Sequence, residues 1–165
     1  MRQNNRGRGS GPSSGIQGSH AAERSVKHSG QVFTPGFLVR NMLDYAGYVC
    51  GNILEKHIID NSCGAGAFLC EAVARYCSEY VANHDDNVGL KADLERFVHG
   101  IELDPVVCAD CRSNLDGIAK DFGVENVGWD LLNTNALSVT RYDGQMDFVV
   151  GNPPYVRVHN LEEGY

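Results

Sequence analysis

The sequence lacks long apolar runs, and none approaches the roughly 20 residues that a membrane-spanning helix needs. The N-terminal segment also lacks the apolar stretch of a signal peptide. These absences count against a membrane span and a secretory signal, and we expect a cytoplasmic protein with no membrane partner. At 165 residues, with 42% hydrophobic and 21% charged residues, the chain has the size and composition of one soluble domain.

Positive charge is scarce beyond the first 30 residues. Residues 1–30 carry a net charge of +4, so the remaining 135 residues carry −11 of the total of −7. This first segment is rich in Gly, Ser, Arg and Asn without a hydrophobic period, and we interpret it as a disordered tail. Contacts between cationic side chains and phosphates supply most non-specific affinity for DNA. We therefore do not expect residues 31–165 to form a DNA-gripping surface by themselves.

The six cysteines lack the spacing of a zinc site or a disulfide framework. Cys108 and Cys111 form one C-x-x-C pair, but no second pair lies at ligand spacing. The pair also falls inside a segment with a helical hydrophobic period. We therefore predict reduced thiols and no metal ion.

The segment MDFVVGNPPY, residues 146–155, carries a predicted strand into a rigid polar turn. Residues 146–150 favour a buried strand, and the Gly-Asn-Pro-Pro sequence that follows cannot continue it. The two prolines fix their own backbone angles and restrict the preceding residue, so Asn152 is expected to be extended. Its side chain and the Pro153 carbonyl then offer two hydrogen-bond acceptors beside the ring of Tyr155.

Two acceptors beside a flat aromatic ring are suited to binding a planar amine. The lone pair of an exocyclic amine on a nucleobase is delocalised into the ring, which makes the nitrogen a poor nucleophile. Acceptors on its N–H bonds draw the nitrogen toward tetrahedral geometry and localise that pair. We therefore interpret Asn152, Pro153 and Tyr155 as a site for such an amine.

A second motif, DNSCGAGAF, follows a short apolar run at residues 57–60. A strand, a glycine-containing turn and a helix over residues 67–80 form the unit by which Rossmann-like folds bring backbone N–H groups to a ligand. The turn contains Gly64 and Gly66, but the position three residues later is Leu69, so it is not the full dinucleotide fingerprint. Asp60, at the end of the strand, is suited to an ammonium group.

A second strand is predicted over residues 97–102, and His99 is expected to face the sheet. Glu102 ends this strand, where a carboxylate accepts hydrogen bonds from both hydroxyls of a ribose in such folds. Leu103 is placed to pack on an adenine ring, and Asp104 with Pro105 begins a helix that we predict to end before Gly123. A short helix near residues 90–96, beside an insertion near Asn83, and a weak strand over residues 127–132 complete this part.

The chain between the tail and the first strand begins a helix. Residues 31–35 have the sequence QVFTP. The helical hydrophobic period that follows them is predicted to run to about Cys50. Thr34 is expected to cap this helix, with Pro35 in its first turn.

Four motifs occur in the order FTP, DNSCGAG, IELDP and NPPY. This order resembles that of the gamma-type N6-adenine DNA methyltransferases of restriction-modification systems. The resemblance covers about residues 31–157 and implies S-adenosylmethionine as the cofactor. It also implies methyl transfer to the N6 amine of an adenine that has been flipped out of the DNA duplex.

The resemblance assigns a role to each matched residue. Asn152 and the Pro153 carbonyl bind the amine and Tyr155 stacks on the base, so these three are the implied catalytic residues. Asn135 stands where the family usually has an aspartate that binds the cofactor's adenine, and Asp130 is an alternative. The implied cofactor-binding residues are Phe33, Thr34, Pro35, Asp60, Gly64, Gly66, Glu102, Leu103 and Asn135.

The expected fold is an α/β Rossmann-like S-adenosylmethionine-dependent methyltransferase fold, incomplete in residues 31–165. About four of its seven strands are predicted, and the later strands and the target-recognition domain are expected to be absent. DNA would then be bound mainly through that absent region, and a partner subunit or a nuclease is a further implied partner.

Two other functions share these motifs. A protein glutamine N5-methyltransferase faces the same chemistry at an amide nitrogen, although the FTP segment and the glycine motif favour DNA. N4-cytosine modification is disfavoured because that group usually has Ser at the position of Asn152. A further alternative is an inactive or partner-dependent fragment that binds cofactor only.

Overall fold

The computed structural model describes residues 34–153, so the predicted tail, Phe33 and Tyr155 lie outside the described residues. Helices and strands alternate along this part of the chain, as expected for an α/β fold. The elements are α1 (Gly36–Ala46), β1 (Ile58–Asp60), α2 (Ala67–Asn83), α3 (Leu90–Phe97), β2 (Val98–Glu102), α4 (Pro105–Asp121), β3 (Asp130–Asn133), a 3-10 turn (Ala136–Ser138) and β4 (Phe148–Val150).

The four strands form one parallel sheet in the order β3-β2-β1-β4. The chain moves outward from β1 through β2 to β3, and then returns to pair β4 with the other side of β1. In such sheets, ligands bind outside the carboxyl ends of the strands where the order reverses. This topology confirms the predicted α/β class. It also makes the crevice between the carboxyl ends of β1 and β4 the expected place for a ligand.

One face of the sheet packs on the main core. Ile58 pairs in register with Val98 on one side and with Phe148 on the other, and these side chains join the same buried cluster as Leu69 and Val73 of α2. The neighbouring residue of β4, Val149, points to the opposite face and is 64% exposed. Within residues 34–153, the face of β4 that carries Phe148 is therefore packed on the core, whereas the face that carries Val149 is largely exposed. No helix in that range has the length and apolarity to cross a bilayer.

Helix α4 begins and ends as the sequence predicts. The Asp104 carboxylate accepts hydrogen bonds from the backbone N–H groups of Val106 and Val107 at 2.8 and 3.2 Å. This cap satisfies donors that the first turn leaves unpaired. Gly123, at φ +74°, ends the helix while the N–H of Val124 donates to the carbonyl of Ala119.

The predicted cap of α1 is wrong. Pro35 occupies the N-cap position without a side-chain bond, and its carbonyl accepts from the N–H groups of Leu38 and Val39. The Thr34 hydroxyl instead contacts Asn152, 118 positions away in sequence. The helix also ends before Cys50, because Gly47 adopts the left-handed conformation at φ +82°.

The strands are shorter than their apolar runs. Asp147, expected in the last strand, instead lies just before it: its N–H donates to the carbonyl of His57 and its carboxylate accepts from the N–H of His57 at 2.8 Å. Trp129, expected in the third strand, packs in the core, and its indole N–H donates to Asp116 at 2.7 Å. Both residues thus lie just before their strands, and the side chain of each makes a hydrogen bond.

A histidine network ties the amino ends of the strands together. Buried His99 contacts Asp130 through Nδ1 at 2.7 Å and His57 through Nε2 at 2.9 Å. Asp130 also accepts hydrogen bonds from Arg141 and Tyr142. Because the carboxylate requires a proton on His99 Nδ1, a neutral His99 accepts from His57 at Nε2. His99 thus faces the sheet as predicted, with both ring nitrogens engaged.

Protonation of His99 is expected to destabilise the fold. Burial lowers the pKa of His99, although Asp130 acts in the opposite direction. A group whose pKa is lowered by folding contributes stability above its unfolded pKa, and that stability is lost as the pH falls below it. Between pH 7 and pH 5, urea denaturation should therefore show a larger loss of stability for the wild type than for His99→Gln.

The exposed His84 gives the matched control, because His84→Gln should follow the wild-type pH profile. Parallel profiles for the wild type and His99→Gln would contradict the assignment of His99 as a buried neutral donor.

Candidate cofactor and active site

The carboxyl ends of three parallel strands bring together the polar residues that the motifs contain. Asp60 ends β1, Glu102 ends β2, and Asn152 follows β4 by two residues. The N–H of Gly64 donates to Glu102, and the Asn152 amide reaches Thr34. Five residues from four separate motifs therefore lie at one edge of the sheet.

Asp60 is a buried carboxylate at the point where the strand order reverses. It is 1% exposed, and its Oδ1 accepts a hydrogen bond from the N–H of Ser62 at 2.9 Å. Burial raises the pKa of Asp60 to about 7; the Ser62 bond opposes this shift, and the nearby charge of Glu102 adds to it. A carboxylate held in this way favours a cationic partner, since a nearby positive charge stabilises the ionised form.

Gly151 lets the end of β4 lie directly against Asp60. Its φ is +147°, and a methyl group on its Cα would lie 2.6 Å from Asp60 Oδ1. Any other residue would either strain the backbone or displace the carboxylate. Gly151 lies outside the site residues expected from the motifs, although its place between the strand and the Asn-Pro-Pro turn was a usable signal.

The two glycines of the β1–α2 turn have different roles. Gly64 adopts φ +55°, and a methyl group there would meet open space. Gly66 is the N-cap of α2 at φ +91°, and a methyl group there would lie 2.8 Å from Cys111 Sγ of α4. Gly64 is therefore the glycine whose surroundings leave room for a ligand, whereas Gly66 allows α2 and α4 to pack closely.

Glu102 is held by backbone donors on both of its oxygens. Oε2 accepts from the N–H of Gly64 and Oε1 from the N–H of Asp104, each at 2.9 Å. A carboxylate oxygen offers two acceptor sites, so each oxygen keeps one for a ligand. Leu103 follows at 61% exposure, and Asn133 Nδ2 donates to the carbonyls of Glu102 and Leu103.

The two residues proposed for an adenine contact have different positions. Asn135 lies just beyond β3 and caps the 3-10 turn, where its Oδ1 accepts from the N–H of Leu137 at 3.0 Å. Asp130 is the first residue of β3 and is bonded to His99 at the other edge of the sheet. The Asp130 alternative is therefore wrong, while the role of Asn135 stays a prediction.

A hydrogen bond between Asn152 and Thr34 joins the segment after β4 to the segment before α1. Asn152 Nδ2 donates to Thr34 Oγ1 at 3.3 Å, and Thr34 is 7% exposed. Pro153, which follows, is exposed, as is Pro35. The predicted roles of Phe33 and Tyr155 fall outside the described residues.

The carboxylates and the open backbone at this edge fit a ligand that carries an ammonium group and two neighbouring hydroxyl groups. Asp60 supplies a buried negative charge, Gly64 an open backbone surface, and Glu102 two oriented acceptors. S-Adenosylmethionine has both features, in its amino-acid end and its ribose. Between residues 34 and 153 no cluster of His, Cys, Asp or Glu has the arrangement of a metal site.

Comparison with known proteins gives a family match over most of the chain. The model described as N-6 DNA methylase matches residues 19–163. Type II methyltransferase M.PaeR7I of Pseudomonas aeruginosa is 31% identical over 143 residues, which are 83% of this chain and 25% of that protein. M.BstVI of Geobacillus stearothermophilus is 29% identical over 152 residues, 86% of this chain and 27% of that protein. The chain therefore spans about a quarter of these relatives.

Solved structures share the fold at low identity. A modification subunit assigned to a type I restriction enzyme from Vibrio vulnificus YJ016 superposes with a TM-score of 0.55 at 21% identity, covering 81% of this chain and 26% of that one. The cryo-EM structure of a DrdV–DNA complex gives a TM-score of 0.57 at 18% identity, covering 81% of this chain and 15% of that one. Both agree with the parallel α/β architecture.

Replacing Asp60 by Asn should stabilise the ligand-free protein at high pH. The raised pKa means that the ionised carboxylate costs stability above pH 7, and that this cost shrinks as the pH falls toward the unfolded value. At pH 8 we expect Asp60→Asn to gain about 2 to 4 kcal/mol in urea denaturation, since one pKa unit corresponds to about 1.4 kcal/mol.

The gain should be smaller at pH 5.5, and Asp143→Asn at an exposed position provides the matched control. An equal gain at both pH values would count against a buried, ionisable Asp60.

Proposed function

Because the chain belongs to the N-6 DNA methylase family, we propose that it forms the catalytic part of an enzyme that methylates the N6 amine of adenine in DNA. The single observation that carries this proposal is the position of Asn152, at the end of β4 beside the crevice that contains Asp60 and Glu102. An amide acceptor for the amine and the carboxylates suited to the cofactor thus share one edge of the sheet.

The cofactor would be held by residues at and just beyond the carboxyl ends of the first two strands. Asp60 is suited to its ammonium group, the Gly64 backbone to its amino-acid portion, and Glu102 to its ribose hydroxyls, with Leu103 against the adenine. Phe33, Thr34, Pro35, Gly66 and Asn135 are the further cofactor-binding residues of this proposal. Bound S-adenosylmethionine supplies an electrophilic methyl group.

The residues of the Asn-Pro-Pro-Tyr motif would prepare the amine. Asn152 Oδ1 and the Pro153 carbonyl accept its N–H bonds and localise the nitrogen lone pair, while Tyr155 stacks on the flipped base. Asn152 is neutral, so it polarises the amine without removing a proton. Positioning, rather than a strong general base, is expected to supply most of the rate enhancement.

The DNA duplex would be gripped mainly by protein beyond these strands. Residues 31–165 carry a net charge of −11, which on balance opposes phosphate binding. One relative that matches 80% of this chain is named as the methylase subunit of the type I restriction enzyme EcoEI from Escherichia coli. This name supports the further proposal that a partner subunit or domain completes DNA recognition.

The test of this function uses methyl-labelled S-adenosylmethionine with unmethylated DNA and, separately, with a protein extract. The enzyme is produced in its natural full length. Label recovered as N6-methyladenine is the expected result. Label recovered in protein would replace the proposal by glutamine N5-methylation, and cofactor binding without any transfer would favour the inactive or partner-dependent form.

Asn152→Ala should abolish methyl transfer while the dissociation constant for S-adenosylmethionine stays within a few fold of the wild type. The reason is that the amide is assigned to the amine and not to the cofactor. Titration calorimetry and single-turnover transfer measure the two quantities separately. A parallel loss of binding would mean that the amine site is misassigned.

Glu102→Ala should weaken cofactor binding by about 1 to 3 kcal/mol, the loss expected for a charged hydrogen-bonding group. Because Glu102 also accepts from Gly64 and Asp104, the ribose contact must be separated from the support of the turn. The control is 3′-deoxy-S-adenosylhomocysteine, compared with S-adenosylhomocysteine itself. The mutation should cost the deoxy analogue less, and an equal cost for both ligands would exclude the ribose contact.

A further inference from the structure

The amide of Asn152 has two ends of opposite hydrogen-bonding character, and the proposed function can use only one of them. Its oxygen accepts hydrogen bonds and its nitrogen donates them. An amine that is to be methylated presents N–H bonds, so an amide nitrogen turned toward it would place donor against donor. The site therefore needs a contact that selects one of the two orientations, which differ by a rotation of 180° about the terminal bond.

Thr34 is in the position to make this selection. Its Oγ1 lies 3.3 Å from Asn152 Nδ2, and its side chain is buried at 7% exposure. Within residues 34–153 this is the one hydrogen bond recorded for the Thr34 hydroxyl, and the hydroxyl accepts in it. A hydroxyl oxygen has two lone pairs that accept hydrogen bonds, so Thr34 can accept the Asn152 N–H while its own proton points elsewhere.

The surroundings of the two residues hold the contact in place. Thr34 precedes α1, whose first hydrogen bonds are accepted by the Pro35 carbonyl and not by the threonine side chain. Asn152 follows Gly151, which lies against Asp60 at φ +147°, and precedes a proline that restricts its backbone. The hydroxyl is thus not needed to cap the helix.

We propose that Thr34 is a positioning residue that orients the Asn152 amide, so that Oδ1 faces the amine to be methylated. This inference rests on the proposed function for its consequence, because the amine is the group that requires an acceptor. In this arrangement the Asn152 N–H donates to Thr34 Oγ1, and the amine N–H donates to Asn152 Oδ1. Thr34 acts through Asn152 and does not itself contact the amine.

The test compares Thr34→Val, which keeps the shape and removes the acceptor, with Thr34→Ser, which keeps the hydroxyl. In the enzyme, Thr34→Val should lower the single-turnover rate of methyl transfer by about 5- to 20-fold, in line with the loss of one neutral hydrogen bond and of the correct orientation. Because Thr34 is also among the residues proposed to bind the cofactor, this rate is measured at saturating S-adenosylmethionine, so that weaker cofactor binding does not lower it. Thr34→Ser should recover at least half of the wild-type rate.

A second readout needs neither DNA nor cofactor. In ¹⁵N-correlated spectra, the side-chain NH₂ signals of Asn152, assigned by their disappearance in Asn152→Asp, should shift in Thr34→Val and return toward wild type in Thr34→Ser. This readout separates the two proposals. A wild-type enzyme that methylates no adenine would refute the proposed function, whereas unchanged Asn152 signals in Thr34→Val would refute the orienting contact.

Three further results would overturn the inference. The first is a wild-type transfer rate in Thr34→Val. The second is an equal loss of rate in Thr34→Val and Thr34→Ser, which would indicate a packing role. The third is a loss of rate in Thr34→Val that arises wholly from weaker cofactor binding. If Thr34→Val fails to fold, Thr34→Ala removes the same acceptor and is compared with Thr34→Ser in the same way.

Discussion

The close approach of Gly151 to Asp60 is the contact on which the site depends. It exists because β4 pairs with β1 on the side opposite β2, so that the ends of two parallel strands meet where the strand order reverses. At that point a methyl group on residue 151 would lie 2.6 Å from the carboxylate. The glycine lets the chain pass over a buried negative charge and place the Asn152 amide next to it.

The same crevice contains an electrostatic cost that the described residues offset only in part. Asp60 is almost fully buried, and within the described residues its recorded hydrogen-bond donor is the N–H of Ser62. A raised pKa is the thermodynamic expression of that cost, and a cationic ligand would remove it. Stability and ligand affinity are therefore opposed at this residue, as is common where a site is built from a charged group in a dry environment.

The amino ends and the carboxyl ends of the strands have different roles. At the amino edge, His57, His99 and Asp130 satisfy one another, and this closed network fixes the strands relative to each other. At the carboxyl edge, Glu102 keeps acceptor capacity after bonding to Gly64 and Asp104. Polar groups that are fully paired rigidify a fold, whereas oriented groups with unused capacity bind ligands.

The sequence by itself determined the order of helices and strands, the α/β class and the residue types of the site, because hydrophobic period, capping residues and glycine and proline positions act locally. Only the tertiary structure decided which of those residues meet. It turned Thr34 from an expected helix cap into a partner of Asn152, assigned Gly66 to helix packing and Gly64 to open space, and removed Asp130 from the site. Such contacts join residues far apart in the chain, so they depend on strand order and register, which no local pattern encodes.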